Sequence, residues 1–232
     1  MSRLAIITAR GGSKRIPRKN IKEFCGKPII AYSIEAAIQS GLFDTVMVST
    51  DDDEIASVAE KYGAEVPFRR SEKNSDDHAM TVDVVAEVVE EYRKRGVEYD
   101  LISCIYPTAP FITGAKLKKA CEKLEKTDAD ALVPVVKFSF PPQRCFVLEN
   151  EVVKYKWPDN EFKRSQDLEP LYHDVGQFYF IKPNVLFEEK TMVPPNAVAF
   201  VLDELEVQDI DNIEDWKIAE IKYNIMKNQK VF

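Results

Sequence analysis

Histidine and cysteine are scarce in this chain, and neither is arranged for chemistry. His78 and His173 are the two histidines in 232 residues, and they lie far apart. Cys25, Cys104, Cys121 and Cys145 form no Cys-x-x-Cys pair and no Cys/His cluster, which argues against structural zinc. Cys104 and Cys121 fall in apolar patterns and are expected in the core. Cys25 precedes Gly26 in a loop and is assigned no role. No apolar run approaches the roughly 18 residues that a membrane-spanning helix needs. The first residues read as a strand, without the pattern of a secretory leader. A cytoplasmic protein with no membrane partner is therefore expected. Repeats and low-complexity segments are absent from the sequence. The net charge of −7 argues against nucleic acid as the main partner. A hydrophobic content of 45% over this length suits one full core.

One stretch lacks acids altogether. Residues 10–22 carry Arg10, Lys14, Arg15, Arg18, Lys19 and Lys22 with no Asp or Glu. An apolar run, Leu4 to Ile7, leads into it and reads as a buried strand. Gly11 and Gly12 let the backbone approach an anion and turn N–H groups toward it. Lys14 supplies a point charge for a phosphate, and Arg10 can grip one with two bonds. The stretch matches neither Gly-x4-Gly-Lys-Ser/Thr nor Gly-x-Gly-x-x-Gly. A basic loop in an acidic protein favours a small anionic ligand over a broad polyanion. A merely solvated loop is the plainer alternative.

The rest of the chain alternates strand and helix patterns. Ile30, Ile34, Ala37 and Ile38 form a helical stripe stopped by Gly41. A strand is expected over 45–49. Asp51 then reads as a helix N-cap with Glu54 completing a capping box, preferred here over a metal site. A short strand is expected over 64–68 and an amphipathic helix over 78–95, with His78 in its first turn, facing solvent. A strongly apolar strand over 99–106 runs into Pro107-Thr108-Ala109-Pro110. Thr113 caps the next helix, and 129–136 is another buried strand. Prolines and aromatics break up 137–175, which reads as an excursion from a core made of 1–136 and 176–232. Strands at 177–181 and 197–202 follow. Asn212 and Asp215 cap a last helix, and Lys227 to Lys230 read as a fraying tail. The alternation predicts an α/β fold, a doubly wound, mainly parallel sheet with a small excursion. Ligands of such sheets sit outside the carboxyl ends of the strands, where the cationic loop and the Pro-Thr-Ala-Pro turn both fall. Asp209 and Asp211 lie two apart on an extended segment and face one way. Their repulsion is relieved by a cation or a proton, and Mg2+ suits such an oxygen pair.

The run Ala9-Arg-Gly-Gly-Ser-Lys-Arg-Ile-Pro-Arg-Lys-Asn20 resembles the signature of the cytidylyltransferases that make CMP-sialic acids, whose usual form has Gly in place of Arg15. The resemblance covers nearly the whole chain and implies a Rossmann-like nucleotidyltransferase fold. It also implies CTP and an acidic nine-carbon sugar as substrates, and Asp209-Ile-Asp211 as the magnesium motif. Carried over residue by residue, it places Ala9, Arg10, Gly11, Gly12, Ser13, Lys14, Lys19, Asn20, Arg69, Ser75 and Asp76 at the nucleotide. Arg10, Lys14 and Asp211 would be catalytic. Either carboxylate, or water held by the metal, would take the acceptor's proton. Tyr106, Thr108, Arg164, Gln166, His173 and Gln177 would face the sugar. Tyr106 stands where the family carries Gln, His173 where it carries Arg, and Val175 where it carries Asn. These departures favour an acceptor other than N-acetylneuraminate, with pseudaminic acid expected and legionaminate an alternative. The matching excursion in related enzymes reaches a second subunit, so a homodimer is expected. A non-catalytic sugar-nucleotide binding module and an RNA-binding protein are the readings from other classes. The acid pair and the net charge argue against them respectively.

Overall fold

The computed structural model describes residues 1–229. Its strands are β1 (Arg3–Thr8), β2 (Glu23–Phe24), β3 (Lys27–Pro28), β4 (Thr45–Ser49), β5 (Leu101–Ile105), β6 (Ala131–Lys137), β7 (Phe146–Glu149), β8 (Val152–Tyr155), β9 (Tyr172–Asp174), β10 (Phe178–Ile181) and β11 (Ala197–Leu202). The α-helices are α1 (Ile29–Ser40), α2 (Asp53–Lys61), α3 (Thr81–Lys94), α4 (Gly114–Glu125), α5 (Pro183–Glu189) and α6 (Ile213–Asn228). The main sheet has the order β11-β6-β10-β5-β1-β4, with β9 alongside β6. β4, β1 and β5 run parallel, as do β6 and β11, while β10 is antiparallel to β5 and β6.

Alternation within β1 explains the double winding. Ala5 and Ile7 face one layer, with α1, α2 and α4. Leu4 and Ile6 face the other, with α3 and α5. A strand buried on both faces must be apolar at every position, and residues 4–7 are all fully buried. Cys104 and Cys121 are buried, as their patterns imply. A third cluster joins Ile16, Ile210, Phe24 and Trp216. It anchors the cationic loop and the Asp209–Asp211 segment to the same packed aromatic group.

Several expectations change in detail. Residues 64–68 form no strand; one isolated bridge, Met47 to Glu65, is all that pairs there. Helix α3 begins at Thr81, so His78 lies in the preceding loop. The Asp76 carboxylate accepts from the N–H groups of His78 and Ala79, which holds that loop in a turn and delays the helix. β9 lies within the expected excursion but pairs with Val135, Val136 and Lys137 of the main sheet. What leaves the sheet is therefore 138–171, with its own hairpin of β7 and β8. Lys227 and Asn228 are helical, and Lys230, part of the expected frayed tail, lies outside the described residues. Among the described residues, no helix is long and apolar enough to cross a membrane.

The acid run after β4 caps α2, but through Asp52. Its carboxylate accepts from Ile55 N at 2.9 Å, and the third helical position is Ile55, so no capping box forms. Asp52 also accepts from Arg18 at 2.5 and 2.9 Å. Arg18 has φ of 55°, a left-handed conformation that this ion pair and Glu54 hold in place. The Arg18 guanidinium lowers the Asp52 carboxyl from 3.8 to about 2. Its stabilising contribution is complete above pH 3.8 and disappears as the pH falls through about 2. Asp52→Ala is expected to cost about 1–2 kcal/mol at pH 7. Urea midpoints of the variant and the parent should converge toward pH 2.

Candidate active site

A cavity of ≈ 270 Å³ opens at the carboxyl ends of β1 and β5. Of the sequence-predicted residues, Arg10, Ser13, Lys14, Lys19, Asn20, Tyr106, Thr108 and Asp211 line it. Asn20 is buried and donates to Arg10 O at 2.9 Å, closing the loop on itself. Lys19 donates to Ile210 O at 2.6 Å and ties the loop to the acid pair. Burial lowers the Lys19 pKa, and the charges of Asp211 and Asp209 act against that shift.

The loop's cations are met by acids from other elements. Asp77 accepts from Arg10 at 2.7 Å and also pairs with Lys14. Lys14 and Arg10 hold its carboxyl below the usual range. Arg10 further donates to Asp76 O at 2.9 Å. Arg15 donates to Asp211 Oδ1 at 2.7 Å. Asp77, not among the predicted site residues, thus engages both Arg10 and Lys14.

Some predicted residues take other places. Gly11 N–H donates to Asp51 Oδ1 at 2.8 Å, so that donor is committed to the protein. The reason for glycine at 11 is crowding, because a Cβ there would stand 2.8 Å from Asp52 Oδ2. Gly11→Ala is expected to destabilise by about 1–3 kcal/mol, read as a lower urea midpoint. Gly12 is uncrowded. Ala9 is fully buried, with its N–H on Ser49 O. Ser75 bonds Ser71 O, and the Asp76 carboxylate serves its own turn. None of these five, Ala9, Gly11, Gly12, Ser75 and Asp76, is among the residues lining the cavity.

Arg69 is likewise not among the residues lining the cavity. It pairs with Asp53 at 2.9 Å, away from the cavity, and Arg70 lines the cavity instead. Arg70 is buried, and it donates to Ser49 Oγ at 3.0 Å and Ser49 O at 2.5 Å. Burial lowers its pKa to about 10. Phe68 packs on the core, and in an extended segment the residue two further on shares its side.

A second cavity of ≈ 450 Å³ lies beside the first and shares Tyr106 with it. His173, Asp174, Val175, Tyr179, Val207 and Asp209 line it. The Tyr106 hydroxyl lies 3.1 Å from Thr81 Oγ1, and its ring is 5.9 Å from that of Tyr179. Tyr179 donates to the Asp174 carboxylate at 2.7 Å. His173 Nδ1 donates to Asp174 O at 2.8 Å, and the ring packs on Phe138. Gln177 is buried and gives its amide to Glu206 O at 2.6 Å, so it supports the cavity wall from behind. Arg164 pairs with Asp167 on the exposed excursion, and Gln166 lines a separate cleft there. Neither is among the residues lining the two cavities.

Asp209 and Asp211 flank buried Ile210, so both carboxylates turn outward, Asp211 to the first cavity and Asp209 to the second. Burial, then the charge of Asp211, raises the Asp209 carboxyl. Two neighbouring carboxylates that repel each other, one of them screened by Arg15, fit a hard divalent cation that completes its shell with phosphate and water. Among the described residues, no third His, Cys, Asp or Glu joins them in a metal-binding group.

Residues 4–220 match the family model described as cytidylyltransferase. The chain is 45% identical to a pseudaminic acid cytidylyltransferase of Campylobacter jejuni, over 97% of each chain. It is 33% identical to a CMP-N,N'-diacetyllegionaminic acid synthase of Legionella pneumophila, over 94% of each. Its fold is similar to that of a CMP:2-keto-3-deoxy-manno-octonic acid synthetase complexed with CTP, with a TM-score of 0.71 and 17% identity over 98% of this chain and 100% of that one. With residues 4–220 on the family model and 45% identity to a relative over 97% of each chain, the chain belongs to the cytidylyltransferase family.

Proposed function

We propose that this chain transfers CMP from CTP to a nonulosonic acid, with pseudaminic acid as the acceptor. The observation that carries the reading is the pair of adjoining cavities. One is lined by cations, the other by the residues that depart from the sialic acid pattern, and an acid pair stands between them. The 45% identity to the Campylobacter enzyme supports the acceptor. Arg10, Lys14 and Arg70 neutralise the triphosphate and the charge that builds on it. Asp209 and Asp211 would hold Mg2+. When bound, that ion polarises the α-phosphate and stabilises the departing pyrophosphate. The acceptor's anomeric oxygen bonds to the α-phosphorus. The bond from α-phosphorus to the bridging oxygen breaks, and pyrophosphate leaves with that oxygen. The hydroxyl proton passes to Asp209, the carboxylate on the acceptor side.

The reading extends to a homodimer. The excursion exposes Phe140, Phe146, Leu148, Trp157 and Phe162, the last 92% exposed. Apolar and aromatic surface of that extent on one arm suits a subunit contact. On the same arm, Arg164 and Gln166 would meet the acceptor bound by a second copy. Light scattering should give twice the mass of the chain.

The acceptor is tested by running pseudaminic, legionaminic and N-acetylneuraminic acids side by side with CTP. The expected order of kcat/KM places pseudaminic acid first. N-acetylneuraminic acid in first place would remove the role given to Tyr106, His173 and Val175.

A further inference from the structure

Among the cations of the loop, Arg15 is the one bound to the proposed metal carboxylate itself. Its guanidinium holds Asp211 Oδ1 at 2.7 Å, and its side chain remains 67% exposed. Lys19, by contrast, is partly buried and fixed on Ile210 O, and Arg18 is fixed by Asp52 and Glu54. Arg15 therefore combines a direct grip on the acid pair with freedom to leave it. It also lines the first cavity beside Lys14, within the space assigned to the triphosphate. A guanidinium stays charged at any working pH. It cannot yield Asp211 by losing a proton, only by moving. A lone pair given to an N–H is not available to a metal ion, and the neighbouring positive charge repels that ion.

We propose that Arg15 is the resident counter-ion of Asp211 and an exchange residue. It occupies the carboxylate while the site is empty, moves onto the triphosphate when the nucleotide enters, and so opens Asp211 to the metal. The proposal rests on the reading of Asp211 as a metal ligand. In this account Arg15 serves two partners in turn. It screens the repulsion between Asp209 and Asp211 before the ion arrives. It then adds a third loop cation to the phosphates beside Arg10 and Lys14.

The test is Mn2+ binding to the full-length protein without nucleotide, followed by calorimetry or the resonance of the free ion. Arg15→Gln keeps the length of the side chain and removes its charge, and Arg15→Ala serves as a second variant. Both should bind Mn2+ at least about three-fold more tightly than the parent. Lys14→Ala removes a charge from the same loop without freeing Asp211, and it should tighten binding by less than half as much. At saturating metal, the KM for CTP should rise about three- to ten-fold in Arg15→Gln. Unchanged Mn2+ affinity in Arg15→Gln, no detectable binding at millimolar ion, or equal tightening in Lys14→Ala would overturn the proposal. So would an unchanged KM for CTP. Asp211→Asn separates the two claims. If it loses the ion while Arg15→Gln leaves the affinity unchanged, the metal reading stands and the exchange fails. If it binds Mn2+ like the parent, both fail.

Discussion

Asp211→Asn is expected to lower kcat for pyrophosphate release by at least about 100-fold. The melting temperature should stay within about 2 °C of the parent. The two expectations belong together. Asp211 is half exposed and its side-chain partner is Arg15, itself largely exposed, so the pair adds little to folding. Its backbone N–H bonds the Asp215 carboxylate at 3.0 Å, a contact that the amide variant keeps. In the proposed reading the variant loses a formal charge that would hold the metal in one place beside the α-phosphate. The KM for CTP should not rise, because Arg15 becomes free for phosphate. A variant that unfolds, or that keeps most of its turnover, would show that Asp211 is a structural acid. Melting curves and turnover measured on one preparation distinguish these outcomes.

Arg10→Ala carries the second large effect, a loss of about 10²–10³ in kcat/KM for CTP. Arg10 is the cation whose position the fold fixes best at the start of the loop. Asn20 holds its carbonyl, Asp76 and Asp77 hold its guanidinium, and β1 fixes the chain just before it. A donor so preorganised acts on the developing charge without having to be ordered during the reaction. Its present partner, Asp77, pairs with both Arg10 and Lys14, and a triphosphate bound as proposed would have to displace it. Asp77→Asn is accordingly expected to change the KM for CTP in the opposite sense, lowering it about two- to three-fold. An equal loss in both variants would mean that Asp77 is needed for loop geometry and does not compete with substrate.

Much of this architecture is legible in the sequence because it follows from local pattern. Residues 4–7 can be apolar throughout only if both faces are covered. Thr113 and the Asn212/Asp215 box mark helix starts through short-range bonds. The loop of cations and the Asp-Ile-Asp pair announce themselves by charge. What the sequence hides depends on distance. Asp77 meets Lys14 across 63 residues and Arg15 meets Asp211 across 196, contacts that no spacing rule links. The choice between Arg69 and Arg70 turns on which side an extended segment shows to the core, and the two residues are identical in type. Asp51 and Asp52 pose the same problem at the start of α2. Residues 64–68 look like a strand by composition, yet they pair through a single bridge beyond the sheet's edge strand β4. Arg164 and Gln166 lie on an arm whose proposed partner surface belongs to a second copy.

The most direct test of the account is the phosphorus spectrum of CTP incubated with the protein, Mg2+ and pseudaminic acid. The account expects the three CTP signals to give way to pyrophosphate and one new phosphodiester, the CMP-sugar, with no CDP. It also expects that conversion to stop when the ion is chelated. Cleavage to CDP and inorganic phosphate, or CTP left intact with every acidic nine-carbon sugar offered, would contradict it.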